Sequence, residues 1–227
     1  MAANPVFVAL DTADPAQALA LGRSVAPHVG GLKLGLEFFL ANGPTGVRAV
    51  AAIGLPLFLD LKLHDIPNTV AGALAALAPL EVAIVNVHSG GGRAMLEAAR
   101  AACAPATRLI AVTILTSLDD ADLGAMGVAD GTRAQVDRLA ALARAAGLDG
   151  VVCSGADVAR LRAQWADALL VVPGLRPPGG AHGDQKRVMT PKEALAAGAS
   201  ILVIGRPITG AADPAAAAAA IADALGT

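Results

Sequence analysis

The chain has 227 residues, 55% hydrophobic and 16% charged, with a formal net charge of −2. That balance excludes a disordered chain and leaves no basic footprint for nucleic acid, and the absence of Tyr removes stacking platforms for single strands. Pro79 and Glu81 break the longest apolar stretch short of a bilayer span, and the opening residues lack a secretion-type leader, so a cytoplasmic protein with no membrane contact is expected.

Taken in chain order, short β-rich runs alternate with alanine-rich helical ones. The first strand, over 6–10, is followed by Asp14-Pro15, a capping acid before a first-turn proline, and a helix over 14–26. A strand over 31–36 precedes a helix over 42–53, and a strand over 57–62 precedes one over 67–78. Strands over 82–87 and 109–115 lead to helices over 93–103 and 132–146, the latter stopped by Gly147. A strand over 150–154 and a helix over 156–164 follow, then a strand over 169–172 and a Pro/Gly-rich loop, about 176–186. Thr190-Pro191-Lys192-Glu193 has capping-box spacing and opens a helix over 191–197, with Gly198 behind it. A strand over 201–204 and a closing helix over 214–225, entered at Asp213-Pro214, end the series. Eight strands each followed by a helix imply a parallel sheet. At this length a closed (β/α)8 TIM barrel is the economical solution, an α/β fold in a single domain over 1–227; an open doubly wound sheet shares the alternation.

The third strand reads Phe58-Leu59-Asp60-Leu61-Lys62-Leu63-His64-Asp65, with Asp60 and Lys62 on one side of the alternation. Barrel strands are covered on both faces, so charges there are costly unless paired. A strand-end salt bridge is one reading; a catalytic pair at the C-terminal mouth is the other. Asp11 ends the first strand and Lys33 interrupts the second, so three adjacent strands bring alternating charges to one mouth. Carboxylates around a lysine keep it protonated, as a proton donor requires. Gly205-Arg206, after the eighth strand, has the makings of a phosphate grip, with Arg176 and Gln185 converging from the 176–186 loop, read as a lid rather than a plain connector. Ser89-Gly90-Gly91-Gly92 reads as a turn more readily than an anion cradle. His88 is open between lining the mouth and a structural role, His64 and Trp165 are assigned to packing, and Cys103 and Cys153 to buried, reduced thiols. No metal-ligand spacing is present.

Asp60-Leu61-Lys62-Leu63-His64-Asp65-Ile66 resembles the D-x-K-x-x-D-I signature of the orotidine 5′-phosphate decarboxylases. The similarity runs on through Pro67-Asn68-Thr69, Val112 to Ser117, Pro173 to Arg176, Gly183-Asp184-Gln185 and Val203 to Ile208. The resemblance implies a TIM-barrel homodimer without cofactor or metal, converting orotidine 5′-monophosphate to uridine 5′-monophosphate in pyrimidine synthesis. It implies Lys62 as the acid at pyrimidine C6 and Asp60 facing the departing carboxylate. Asp65 would come from the partner subunit to complete a network with Lys33. It further implies Asp11 and Thr69 on ribose hydroxyls (Thr69 again from the partner), Thr116 and Ser154 near ribose and base, and Gln185, Arg206, Gly205 and Arg176 on phosphate. Two rivals stand beside it: a metal-dependent sugar-phosphate enzyme sharing the D-x-K-x-x-D strand, and a non-catalytic barrel that retains only the phosphate site.

Overall fold

The computed structural model describes residues 4–176 and 189–226. Its eight strands are β1 (Val6–Ala9), β2 (Gly31–Gly35), β3 (Leu57–Leu63), β4 (Ile84–His88), β5 (Arg108–Val112), β6 (Gly150–Val152), β7 (Leu169–Val172) and β8 (Ile201–Ile204). They pair in parallel and in sequence order, and β8 closes on β1 through Phe7 opposite Val203. The closed barrel is therefore the fold, and the open sheet is set aside.

Alternation along each strand builds two apolar layers. Val6, Val8, Leu32, Leu34, Leu59 and Leu61 face outward into the core shared with the helices. Phe7, Ala9, Phe58, Ile84, Ile110, Val171, Ile201 and Val203 pack inside the barrel. The inward positions nearer the strands' C-terminal ends carry polar groups instead: Lys33, Asp60 and Asn86, all buried. Apolar floor and polar mouth thus come from one period-two pattern whose inward members change chemistry along the strand.

The helices are α1 (Pro15–Val25), α2 (Leu36–Ala51), α3 (Pro67–Leu77), α4 (Gly92–Ala102), α5 (Asp120–Ala125), α6 (Gly131–Ala145), α7 (Val158–Gln164), α8 (Pro191–Ala196), α9 (Arg206–Thr209) and α10 (Pro214–Leu225). Capping follows the sequence reading: Asp14 accepts from Ala16 N at 2.8 Å, Asp213 from Ala216 N at 3.0 Å, and Thr190 forms a capping box with Glu193.

Five elements depart from expectation. Helix α2 starts at Leu36 rather than near 42, because a kink at Gly43 (φ 56°, ψ −158°), ahead of Pro44, joins two helical pieces; the Gly-Pro signal hides the first. Helix α5, held by an Asp119–Asp122 capping box, and the short α9 were not expected at all. The fifth and sixth strands stop at Val112 and Val152, earlier than 115 and 154. Ser89 to Gly91 form a helical turn into α4, as the turn reading had it. Trp165 packs into the outer core, and both cysteines are buried free thiols.

Candidate active site

At the C-terminal mouth lies a cavity of about 380 Å³, with Phe58, Val171 and Val203 among its lining and charged groups from β1, β2 and β3 around it. Lys33 Nζ sits 2.9 Å from Asp11 Oδ1 and 3.3 Å from Asp60 Oδ2, and Lys62 Nζ is 2.7 Å from Asp60 Oδ1. Signs therefore alternate along Asp11, Lys33, Asp60 and Lys62. The Lys33 ammonium occupies the space between two carboxylates. A Cβ at position 35 would come within 3.2 Å of both Asp11 Oδ1 and Lys33 Nζ, so Gly35 leaves room for that ion pair.

Burial opposes charge on Lys33, but Asp60 and Asp11 outweigh it and hold its pKa above the ordinary 10.5. Burial likewise opposes charge on Asp60. Lys33 and Lys62, with hydrogen bonds from Lys62 and Asn86, outweigh it and hold the carboxyl below its ordinary 3.8. Lys33 and Asp60 thus each owe their charged form to the neighbours that offset burial.

Alternation puts Asp60 and Lys62 on one side of β3, and both line the cavity, but the strand is irregular at Lys62. From Leu59 to Leu63 on β3, the partner β4 advances only from Val85 to Val87, and Lys62 takes a left-handed backbone, φ 53°. Such a conformation costs a non-glycine residue energy and persists only where surroundings hold it. Asn86, fully buried on β4, supplies the hold: its Oδ1 accepts from Lys62 N at 2.7 Å, and its Nδ2 donates to Asp60 Oδ1 at 2.7 Å. The sequence reading missed Asn86. The signal was there, an amide inside the apolar run Ala83-Ile84-Val85-Asn86-Val87, spaced by two from His88.

Across the cavity, Gly205 and Arg206 follow β8, and Arg176 follows β7. Gly205 caps α9, so Arg206 is that helix's first residue. Arg176 is 9% exposed and its Nη1 donates to Leu175 O at 2.9 Å. Arginine charge on one wall and the alternating cluster on another give a cavity able to hold a dianion at one end and work on a second group at the other.

A sequence profile described as the orotidine 5′-phosphate decarboxylase / HUMPS family matches residues 4–221. The chain belongs to that family. The orotidine 5′-phosphate decarboxylase of Novosphingobium aromaticivorans is 59% identical over 218 residues, covering 96% of this chain and 97% of the relative. That of Rhodospirillum rubrum is 58% identical over 233 residues, covering 98% and 94%. Among solved structures, orotidine 5′-phosphate decarboxylase from Lactobacillus acidophilus superposes with a TM-score of 0.85 at 37% identity, covering 99% of this chain and all of that one.

The residues expected from the decarboxylase signature fall into four groups. Asp11, Lys33, Asp60, Lys62, Thr116, Arg176, Gly205 and Arg206 line the one cavity. Asp65 and Thr69 are exposed and outside its lining; Asp65 Oδ1 instead accepts from Ile66 N at 2.6 Å. Ser154 is buried behind the lining residues Val152 and Cys153, its hydroxyl turned to Asp157. Gln185 and the expected lid beyond Arg176 lie outside the described residues. His64 and His88 face each other, ring centroids 5.4 Å apart, and neither lines the cavity. Burial, then His64 and Lys62, push the His88 pKa below 6.5, so it is neutral beside the cluster at pH 7. Among the described residues, no group of three or more His, Cys, Asp or Glu is placed to hold a metal ion.

Proposed function

We propose that this chain decarboxylates orotidine 5′-monophosphate to uridine 5′-monophosphate, the activity its relatives are named for, with Lys62 as the acid. The observation that carries the reading is the alternating cluster: an ammonium held between Asp60 and a cavity large enough for a nucleotide. Loss of carbon dioxide from C6 leaves charge in the ring plane, where the π system delocalises it poorly. A preorganised Lys62 ammonium stabilises that charge as it develops and then protonates the carbon. Removing one such electrostatic group costs about 2.7–4 kcal/mol of barrier.

In this reading Asp60 faces the departing carboxylate and Lys33 holds Asp60 and Asp11 in place. Asp11 and Thr116 meet the ribose. Arg176, Arg206, the Gly205 amide and Gln185 take the phosphate. Phosphate binding remote from C6 then helps drive closure over the substrate. Asp65 and Thr69, exposed beside the mouth, complete the site of a second copy in a homodimer. No cofactor is assigned a step, and the reading makes the protein a cytoplasmic enzyme of pyrimidine nucleotide synthesis. No helix among the described residues is long and apolar enough to cross a membrane.

Turnover of orotidine 5′-monophosphate by purified protein tests the proposal directly. Activity is expected to survive a strong chelator; strict dependence on added metal sinks the reading in favour of the sugar-phosphate branch of the family. Lys62→Ala is expected to abolish decarboxylation while uridine 5′-monophosphate still binds. Undiminished turnover in that variant refutes the role given to Lys62.

A further inference from the structure

His64 and His88 stand at the edge of the charge cluster, and the decarboxylation steps leave both unused. They are the residues that follow Leu63 and Val87, which are partners across β3 and β4. The two rings therefore sit side by side where the strands end, exposed His64 against half-buried His88, with centroids 5.4 Å apart. Gly90, in the turn behind His88, leaves room for the outer ring, since a Cβ there would lie 3.7 Å from His64 Cε1. His88 shares its face of β4 with Asn86, whose Oδ1 accepts from the Lys62 amide. The charged and titratable groups that act on His88 are His64, Lys62 and Asp60, all from β3 and its end. On the other side its strand partner is the apolar Val112 of β5. Asp65, next after His64, is turned to Ile66 N instead.

A proton on His88 has one carboxylate to draw on, and that carboxylate is committed. Asp60 Oδ2 faces Lys33 Nζ at 3.3 Å, and its Oδ1 accepts from Lys62 Nζ and from Asn86 Nδ2, each at 2.7 Å. A charged imidazole would therefore compete with Lys62 for Asp60 and repel the Lys62 ammonium as well. Lys62 is the group placed to yield, because its side chain is partly exposed and its backbone is left-handed, φ 53°. We propose that His88 is a positioning residue for Lys62: the neutral imidazole lets the ammonium keep its place against Asp60, and a protonated one displaces it and slows decarboxylation. This rests on the reading that Lys62 is the acid. The acid limit of the site then lies at the histidine pair rather than at a carboxylate. Burial first, and then His64 and Lys62, keep a proton off His88, while Asp60 pulls the other way.

NMR of protein labelled at its histidine rings titrates the pair directly, each signal assigned by the substitution that removes it. His88 is expected to titrate below 6.5, and both His64→Gln and Lys62→Ala are expected to raise that value. A His88 titration that Lys62→Ala leaves in place shows no coupling and overturns the proposal. Turnover supplies the second readout, since His88→Gln keeps a polar side chain that cannot take up the proton. At saturating orotidine 5′-monophosphate, the kcat of this variant relative to that of the unmodified protein is expected to rise as the pH falls. The ratio is expected to have roughly doubled at the pH where half of the His88 rings carry a proton. The nucleotide phosphate titrates alike in both proteins and cancels from the ratio. A ratio that stays flat across that range overturns the proposal. If His88→Gln does not fold, the titrations in unmodified protein, His64→Gln and Lys62→Ala decide alone. Absence of turnover in the unmodified protein at every pH sinks the decarboxylase reading, and the effect of Lys62→Ala on His88 still decides whether the two residues are coupled.

Discussion

Lys62 combines two costs, a left-handed backbone and a partly buried charge, and neighbouring side chains meet both. Asn86 is the neighbour that links them, since one side chain accepts from the Lys62 amide and donates to the Asp60 carboxylate. Asn86→Ala strands a buried N–H and removes one stabilising donor from Asp60, a loss of about 1–3 kcal/mol for an unsatisfied buried group. The expected outcome is a lowered melting temperature together with a fall in kcat larger than any rise in KM, because the ammonium is misplaced while the phosphate wall is untouched. A change confined to KM would show that Asn86 does not aim Lys62. The charge pair also sets a pH signature. Asp60, depressed below 3.8, contributes stability that is present above that value and is lost as the pH falls through the folded pKa. Lys33, raised above 10.5, contributes stability present below that value and lost as the pH rises through its folded pKa. The stability difference between the unmodified protein and Asp60→Asn, followed by denaturant unfolding, is therefore expected to be level around neutrality, to shrink as the pH falls below 3.8, and to shrink again as Lys33 loses its proton above pH 10.5. Of these residues, the charged ones were legible because a lysine or aspartate in an apolar strand demands a partner. Asn86 escaped because one neutral amide raises no such demand until its partners are seen.

At the scale of elements, what the sequence made legible was whatever rests on local chemistry. Caps at Asp14, Thr190 and Asp213 and the period-two strands follow from neighbours a few residues away, and they appear where expected. The bulge in β3 could not be read, because it is a mismatch with β4 and exists only in the pairing. Helix α9 escaped for a related reason, since four residues are too few for any periodic signal. In α2 the local rule itself misled: Gly43-Pro44 looks like a beginning and is a kink in mid-helix. The Gly43 backbone lies in a region that only glycine populates freely, and a Cβ there would meet nothing within 4 Å. Gly43→Ala is therefore expected to destabilise the protein by backbone strain alone, about 1–3 kcal/mol in chemical denaturation, with kcat unchanged. Stability equal to the unmodified protein would mean the two pieces of α2 can realign without the kink.

Across the barrel as a whole, several large apolar side chains among the described residues stay exposed, three of them close after β2 and β3. Leu36 and Leu40 on α2 are 47% and 79% exposed, and Ile66, entering α3, is 67% exposed. These positions follow β2 and β3, the strands that carry Lys33, Asp60 and Lys62, and Asp65 and Thr69 stand beside Ile66. Exposed apolar groups there fit the proposed homodimer, in which a C2 axis would place each chain's Asp65 at its partner's mouth. Pairing between chains leaves no periodicity or spacing in the sequence, so this part of the proposed site rests on family resemblance. Ile66→Asp is expected to shift the protein toward monomer in sedimentation and to lower activity with it, because the charge would sit in a covered apolar contact. Subunit mixing then separates a shared site from a private one. Lys62→Ala chains and Asp65→Ala chains are each expected to be inactive. In an equal mixture half the dimers are hybrids, and each hybrid holds one site with an intact Lys62 and an intact Asp65 from the other chain. Recovery to roughly a quarter of unmodified activity is expected if subunits exchange freely. If exchange is verified by mass and no activity returns, Asp65 serves its own chain and the shared site is wrong.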